Sequence, residues 1–159
     1  GSLTSRHGVE VDELLCYQSL MKDHHVEAAL VVGFEGDAFC RQNNDFLAEL
    51  IPYHPWMHTL AYCHLDHQTD LISQLENWKI KGFQGISLYL LKESDYKKLL
   101  AIPLEFWEWL VQNDWLVSVN SFGALWGPWK VVLEKQPLLK MIVSHLGLPG
   151  RQTEIPSRE

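Results

Sequence analysis

Short runs of apolar and β-branched residues recur along the chain at a nearly constant spacing. Their starts lie about 25 to 30 residues apart, which is close to the length of one strand-plus-helix unit. Because strands and helices alternate, the pattern predicts parallel strands joined by right-handed crossovers. The predicted strands are residues 28–33, 59–64, 85–90, 116–121 and 140–145.

Helical periodicity fills the intervals between these strands. The last two predicted helices follow Pro103 and Pro128, since proline is favoured in the first turn, where its missing N–H has no partner. This alternation is typical of an open doubly wound sheet or of a closed barrel, and periodicity alone does not choose between them. The predicted helices cover residues 12–22, 44–50, 71–78, 104–111 and 129–133.

Both ends of the chain interrupt the alternation. The first clear element is a helix without a preceding strand, and the chain stops after the last strand, where a helix would begin. We therefore predict a single partial domain over residues 1–159, truncated or incompletely ordered at both ends. A complete small domain with frayed tails is the alternative.

Charge and composition exclude several classes of protein. The chain of 159 residues carries a formal net charge of −7 and no stripe of Lys or Arg, so nucleic acid is not an expected partner. No apolar run approaches the roughly 18 residues of a membrane-spanning helix. Cys16, Cys40 and Cys63 form no C-x-x-C pair, which favours a reducing, cytoplasmic location over a disulfide scaffold.

Several segments resemble, in order, those of the amidohydrolase-related TIM-barrel hydrolases. They are Asn-Asn-Asp-Phe-Leu-Ala at 43–48, Tyr-His-Pro at 53–55, Leu-Ala at 60–61, Gly-Phe-Gln-Gly-Ile at 82–86 and Ser-His-Leu-Gly-Leu-Pro at 144–149. The resemblance covers nearly the whole chain. It implies a (β/α) TIM barrel, present here as a partial barrel of about five parallel strands, about strands two to six of eight. It also implies hydrolysis of a lactone or pyrone, or nonoxidative decarboxylation of an aromatic acid.

The same resemblance implies where this chain departs from the family. A His-x-His pair on the family's first strand and an Asp on its last lie outside the chain. Ser87 stands where the family has an arginine, Asn120 where it has a metal-binding histidine, and Ser144 where it has an aspartate. An amide is a poor zinc ligand beside an imidazole. We therefore predict no metal site in this chain, while a divalent zinc ion stays compatible with the intact protein.

His145 is the predicted catalytic residue. It follows an apolar strand, so it is expected at the carboxyl end, where barrel enzymes assemble their sites, and it alone matches a catalytic position of the family. An imidazole there can act as a general acid or base near neutral pH. The alternative is a histidine hydrogen-bonded to a loop carbonyl. Asn120 and Tyr89 also end strands and are predicted to bind a substrate carboxylate or carbonyl.

A second polar cluster follows the second predicted strand. His64, Asp66 and His67 could contribute to a metal site, but an Asx turn leading into the next helix explains the same residues better. No G-x-G-x-x-G or G-x-x-x-x-G-K pattern occurs, so nucleotide binding is not expected.

Two functions are consistent with these observations. The leading hypothesis is a hydrolase, metal-dependent in its intact form, that acts on a small carboxylated or lactone-like molecule. The alternative is a catalytically silent barrel that binds a small molecule or another subunit, and the replaced positions Ser87, Asn120 and Ser144 favour it. A homo-oligomer is compatible with either function.

Overall fold

A single parallel sheet organises the protein. The structure is a computed structural model, and it describes residues 12–66 and 70–147. Each strand pairs in parallel with the next along the chain, and the sheet curls into a half-barrel with helices on its outer side. This confirms the predicted partial (β/α) barrel. The strands are β1 Ala29–Val32, β2 Met57–Tyr62, β3 Gly85–Leu90, β4 Leu116–Ser121 and β5 Lys140–Val143.

The helices include one that the sequence pattern did not predict. The additional helix, α4, is capped by the Asp95 carboxylate, which accepts hydrogen bonds from the N–H groups of Leu91 and Lys92, both at 3.0 Å. Leu99 is its fully buried apolar residue, so its periodic signal is weak. The helices are α1 Glu13–Asp23, α2 Asn43–Leu50, α3 Leu71–Ile80, α4 Glu93–Ala101, α5 Leu104–Gln112 and α6 Gly127–Lys135.

The main hydrophobic core lies between the outer face of the sheet and the helices. Successive side chains of a strand point to opposite faces, so alternate positions form this core. Its strand residues include Ala61, Ile86, Leu88, Val117 and Val119. Trp107, Trp109 and Trp129 are buried in the same core, where they pack the helices against the sheet. None of the helices described in the structure is long and apolar enough to cross a membrane.

The inner face carries small polar residues in the middle of its strands. In the register of the sheet, Tyr62 lies beside Ser87, and Ser87 beside Ser118. The Ser87 hydroxyl donates to the carbonyl oxygen of Gly33 at 2.6 Å, and the hydroxyls of Ser118 and Ser144 are 2.9 Å apart. The side chains in the middle of the inner face are therefore small, and larger side chains lie at the carboxyl ends of the strands.

Two strand boundaries differ from the prediction. β2 begins and ends two residues earlier than the predicted run 59–64, because its pairing with β1 starts at Met57. β5 ends at Val143 and is followed by a 3₁₀ turn, Ser144–Gly147, in which His145 and Leu146 have φ angles of 52° and 55°. These positive φ angles end the extended conformation before His145.

Candidate functional site

Three aromatic rings meet at the carboxyl ends of the first three strands. The ring centroids of Phe34 and Tyr62 are 5.5 Å apart, those of Phe34 and Tyr89 4.9 Å, and those of Tyr62 and Tyr89 5.4 Å. The N–H of Phe34 donates to Oδ1 of Asn43 at 3.0 Å, which ties the end of β1 to the start of α2. The cluster is partly buried, so it forms one wall of the mouth of the half-barrel.

The two phenols of this wall remain protonated at neutral pH. Burial, reinforced by Tyr89 and by nearby carboxylates, raises the pKa of Tyr62 to about 12. Burial also raises the pKa of Tyr89. No hydrogen bond joins either hydroxyl to another side chain or backbone group of the described residues. Both hydroxyls can therefore donate to a carbonyl or carboxylate of a bound molecule.

The structure brings the two predicted substrate-binding residues together. Asn120 on β4 is the direct register partner of Tyr89 on β3, and both side chains belong to the inner face. Asn120 is only 5% exposed, yet within residues 12–66 and 70–147 its amide makes no hydrogen bond. The Asn120 amide is not one of the fully buried polar groups without a partner, so it still reaches solvent and can hydrogen-bond a molecule at the mouth.

His145 lies just beyond the carboxyl end of β5. It is exposed, and its backbone adopts the left-handed conformation, as does that of Leu146, whose side chain is 99% exposed. Two consecutive non-glycine residues in this conformation are unusual, and each costs roughly 1 kcal/mol or more. His145 therefore sits at the predicted edge of the sheet, in a strained turn rather than in the strand. Its catalytic role remains a prediction.

Sequence reasoning missed a carboxylate–imidazole pair at the same edge. Nε2 of His64, which follows β2, lies 3.2 Å from Oε2 of Glu35, which follows β1. The other carboxylate oxygen of Glu35 accepts the N–H of Asn44 at 2.8 Å. The His64 ring also meets the Tyr62 ring edge-on, with centroids 4.6 Å apart. The position of the two residues in the sequence could have predicted the pair, because residues that follow adjacent parallel strands reach the same edge of the sheet.

Asn44 holds the end of β2, the strand that precedes His64. Its side-chain oxygen accepts the N–H of Tyr62 at 2.7 Å, and its side-chain nitrogen donates to the Tyr62 carbonyl at 2.9 Å. One amide thus satisfies both backbone groups at the end of β2. The first turn of α2 is fixed to the site as a result.

Asp66, the acidic residue of the polar cluster that follows β2, forms an ion pair with a lysine. Nζ of Lys98 on α4 lies 2.5 Å from Asp66 and 3.4 Å from Asp95. His67 lies outside the described residues. Among those that are described, no three His, Cys, Asp or Glu side chains are grouped closely enough to hold a metal ion. The donor set described here therefore does not fit a zinc site by itself.

Comparison with solved structures identifies the class of fold. The chain superimposes on an amidohydrolase from Burkholderia multivorans, solved with bound zinc, with a TM-score of 0.67 and 17% identity over 87% of this chain and 48% of that one. It also superimposes on a probable 2-pyrone-4,6-dicarboxylic acid hydrolase from Acinetobacter baumannii, solved with citric acid bound. There the TM-score is 0.53 and the identity 18%, over 92% of this chain and 53% of that one.

The resemblance to amidohydrolase-related barrels is thus confirmed for the fold. The chain spans about half the length of these two solved chains. No family model matches the sequence. A search of curated proteins likewise gave no match.

Proposed function

We propose that this chain forms part of a hydrolase of the amidohydrolase-related superfamily that acts on a small carboxylated or lactone-like substrate. The reaction is hydrolysis, or nonoxidative decarboxylation by the same polar groups. One observation carries the proposal: Tyr62, Tyr89 and Asn120 lie on three adjacent strands at their carboxyl ends, and their side-chain hydrogen-bonding groups have no partners among the described residues. The carboxyl ends of the strands are where barrel enzymes bind their substrates.

Each group has a defined task in this proposal. Tyr89 and Asn120 bind a carboxylate or carbonyl of the substrate, and the Tyr62 hydroxyl adds a third donor on the same wall. His145 acts as general acid or base, because an imidazole can exchange protons at neutral pH. Its strained turn beyond β5 supports this role, since backbone strain often collects at functional sites.

The first experiment measures hydrolysis of 2-pyrone-4,6-dicarboxylate and of the uncharged lactone dihydrocoumarin by the intact protein. His145→Asn should lower kcat by about a hundredfold or more while leaving the melting temperature nearly unchanged. Tyr89→Phe and Asn120→Ala should each lower kcat/KM by about tenfold, the scale of one lost hydrogen bond.

Controls come from the same residue types at sites remote from the mouth. Tyr53→Phe, at a side chain that is 79% exposed, and His58→Asn, at the opposite end of β2, should leave turnover intact. Loss of folding in His145→Asn in proportion to its loss of activity would make His145 a packing residue. If the intact protein hydrolyses neither compound, that result contradicts the proposed hydrolase.

A catalytically silent barrel is the second candidate, and one observation favours it. The hydroxyls of Ser87 and Ser144, which replace a family arginine and aspartate, bond to Gly33 and Ser118 instead of facing a ligand. Metal analysis of the intact protein separates the two candidates. A stoichiometric divalent ion supports the metal-dependent enzyme, whereas a metal-free protein that turns over neither compound supports the silent barrel.

We also propose a cytoplasmic location for the protein. The unpaired thiols of Cys16, Cys40 and Cys63 support a reducing, cytoplasmic location. Zinc binding belongs to the intact protein in this proposal, with ligands from outside the described residues. We further expect no nucleic-acid partner, since the net charge of the chain is −7, and no membrane partner. A homo-oligomer is compatible with the proposed function.

A further inference from the structure

We propose that Trp126 is a positioning residue for His145. Its indole N–H holds one end of the strained turn that carries His145, and the hydroxyl of Ser144 holds the other end. The proposal rests on the proposed hydrolase function, in which His145 is the general acid or base. It adds the groups that keep the imidazole of His145 in place during the reaction.

The turn after β5 needs a restraint from outside itself. His145 has φ and ψ angles of 52° and 32°, and Leu146 has angles of 55° and 25°. Gly147 follows with a φ angle of 82°. Glycine adopts positive φ angles readily, whereas the two residues before it do not. Without other contacts the turn would relax to more favourable angles, and the imidazole of His145 would move with it.

One restraint comes from the segment that follows β4. Nε1 of Trp126 donates a hydrogen bond to the carbonyl oxygen of Gly147 at 2.7 Å. The indole ring also lies beside this glycine, since a Cβ atom there would be 3.7 Å from Cζ2 and 3.8 Å from Cε2 of the ring. Trp126 therefore holds the last residue of the turn by a directional bond and by the position of its ring.

The second restraint lies at the start of the turn. The hydroxyls of Ser144 and Ser118 are 2.9 Å apart, and Ser118 is a fully buried residue of β4. His145 and Leu146 lie between the two bonded positions. Their unfavourable backbone angles are thus fixed from both sides, by β4 and by the segment that follows it.

Trp126 is itself fixed by the helix that it precedes. It stands directly before α6, whose first turn contains the buried residues Pro128 and Trp129. Its side chain is half-buried and packs against the main hydrophobic core. A donor that is supported in this way can hold a neighbouring group precisely. Strained backbone conformations persist only where the surrounding structure enforces them, and Trp126 meets that condition for His145.

Precise placement matters because proton transfer depends on distance. A general acid or base must come within about 2.6 to 3.2 Å of the atom with which it exchanges a proton. A displacement of about 1 Å can lower the rate about a hundredfold. Trp126 acts on His145 through the backbone of the turn. Its loss should therefore lower kcat and leave KM nearly unchanged.

The test uses the intact protein with dihydrocoumarin as the substrate. Trp126→Phe removes the N–H but keeps an aromatic ring, and it should lower kcat about tenfold with KM little changed. Ser144→Ala should lower kcat in the same way. Trp109→Phe is the matched control, because it removes an indole N–H that donates to Glu76 at 2.6 Å among the outer helices. This control should leave kcat unchanged.

A double-mutant cycle shows whether Trp126 acts through His145. In the His145→Asn background, Trp126→Phe should have no further effect on the residual turnover, since the group that it positions is already gone. A merely structural effect would lower turnover by the same factor in both backgrounds, and that result would overturn the proposal. Full kcat in Trp126→Phe would also overturn it, while the hydrolase and the role of His145 would stand.

A further measurement does not depend on turnover. A positive φ angle brings the amide and α protons of a residue close together, so a strong NOE between them reports the left-handed conformation. This NOE at His145 and Leu146 should be strong in the wild type and in Trp109→Phe, and weaker in Trp126→Phe. A weak NOE in the wild type, or an unchanged one in Trp126→Phe, would overturn the restraint. If neither dihydrocoumarin nor 2-pyrone-4,6-dicarboxylate is hydrolysed, the proposed function fails and the catalytic role of Trp126 fails with it, whereas the NOE still decides whether Trp126 restrains the turn.

Discussion

The hydroxyl of Ser87 on β3 donates a 2.6 Å hydrogen bond to the carbonyl oxygen of Gly33, the residue that follows β1. β2 lies between these two strands, and neighbouring strands are about 4.8 Å apart, so a flat sheet would keep the two atoms well separated. The bond forms because the sheet curls into a half-barrel. It therefore stabilises the curvature that gathers the site residues.

Removal of this hydroxyl should destabilise the fold. Ser87→Ala leaves the Gly33 carbonyl buried without its donor, which costs about 1 to 3 kcal/mol in the free energy of unfolding. Urea denaturation monitored by tryptophan fluorescence measures the change. Ser73→Ala, on the exposed surface of α3, is the control and should change stability by less than about 0.5 kcal/mol. Equal stabilities of the two variants would contradict a structural role for the bond.

Gly33 should tolerate no side chain. A Cβ atom at this position would lie 2.8 Å from the Leu60 carbonyl oxygen and 2.9 Å from both Oδ1 of Asn44 and the nitrogen of Tyr62. Since two of these atoms belong to the backbone, Gly33→Ala should lower the free energy of unfolding by about 1 to 3 kcal/mol. Gly127→Ala, where nothing lies within 4 Å of the new atom, should be neutral or stabilising. A stable Gly33→Ala protein would refute the crowding argument.

Much of this fold followed from local periodicity. The runs of apolar and β-branched residues predicted the observed ends of β3 and β4, and proline marked the starts of α5 and α6. α4 was missed because its stability comes from the Asp95 cap and one fully buried leucine, not from an apolar stripe. The end of β5 was misplaced because positive φ angles at His145 and Leu146 leave no signal in hydrophobicity.

The site was only partly accessible from sequence. Tyr89 and Asn120 could be placed at strand ends, and their adjacency followed once the strand order was known. The pairing of Glu35 with His64 joins residues 29 positions apart, and it depends on where two loops turn after parallel strands. Periodicity carries no information on such turns. The second hydrogen bond of Glu35, to Asn44, is equally invisible before the chain folds.

Asn44 should be more important to stability than other amides of the chain. Asn44→Ala removes both hydrogen bonds to the Tyr62 backbone and leaves an N–H and a carbonyl unpaired near the end of β2. We expect the free energy of unfolding to fall by about 1 to 3 kcal/mol. Asn77→Ala, on the exposed surface of α3, should change stability little. Hydrogen exchange of the Tyr62 amide should quicken only in Asn44→Ala, and unchanged exchange would show that the clamp does not hold β2.

The half-buried phenol of Tyr62 should make stability fall at alkaline pH. Its pKa is raised to about 12 in the folded protein, above its usual 10.0, mainly because burial disfavours the phenolate. The unfolded chain therefore loses this proton first, and the contribution of Tyr62 to stability, complete below pH 10, is lost as the pH rises through 12. Urea denaturation at a series of pH values from about 9 upward, with wild type and Tyr62→Phe compared, isolates this contribution. The variant should lose stability less steeply above pH 10, whereas Tyr53→Phe, at an exposed phenol, should follow the wild type. Parallel curves for wild type and Tyr62→Phe would mean that the Tyr62 hydroxyl is open to water, and that the wall of the mouth is less enclosed than the structure shows.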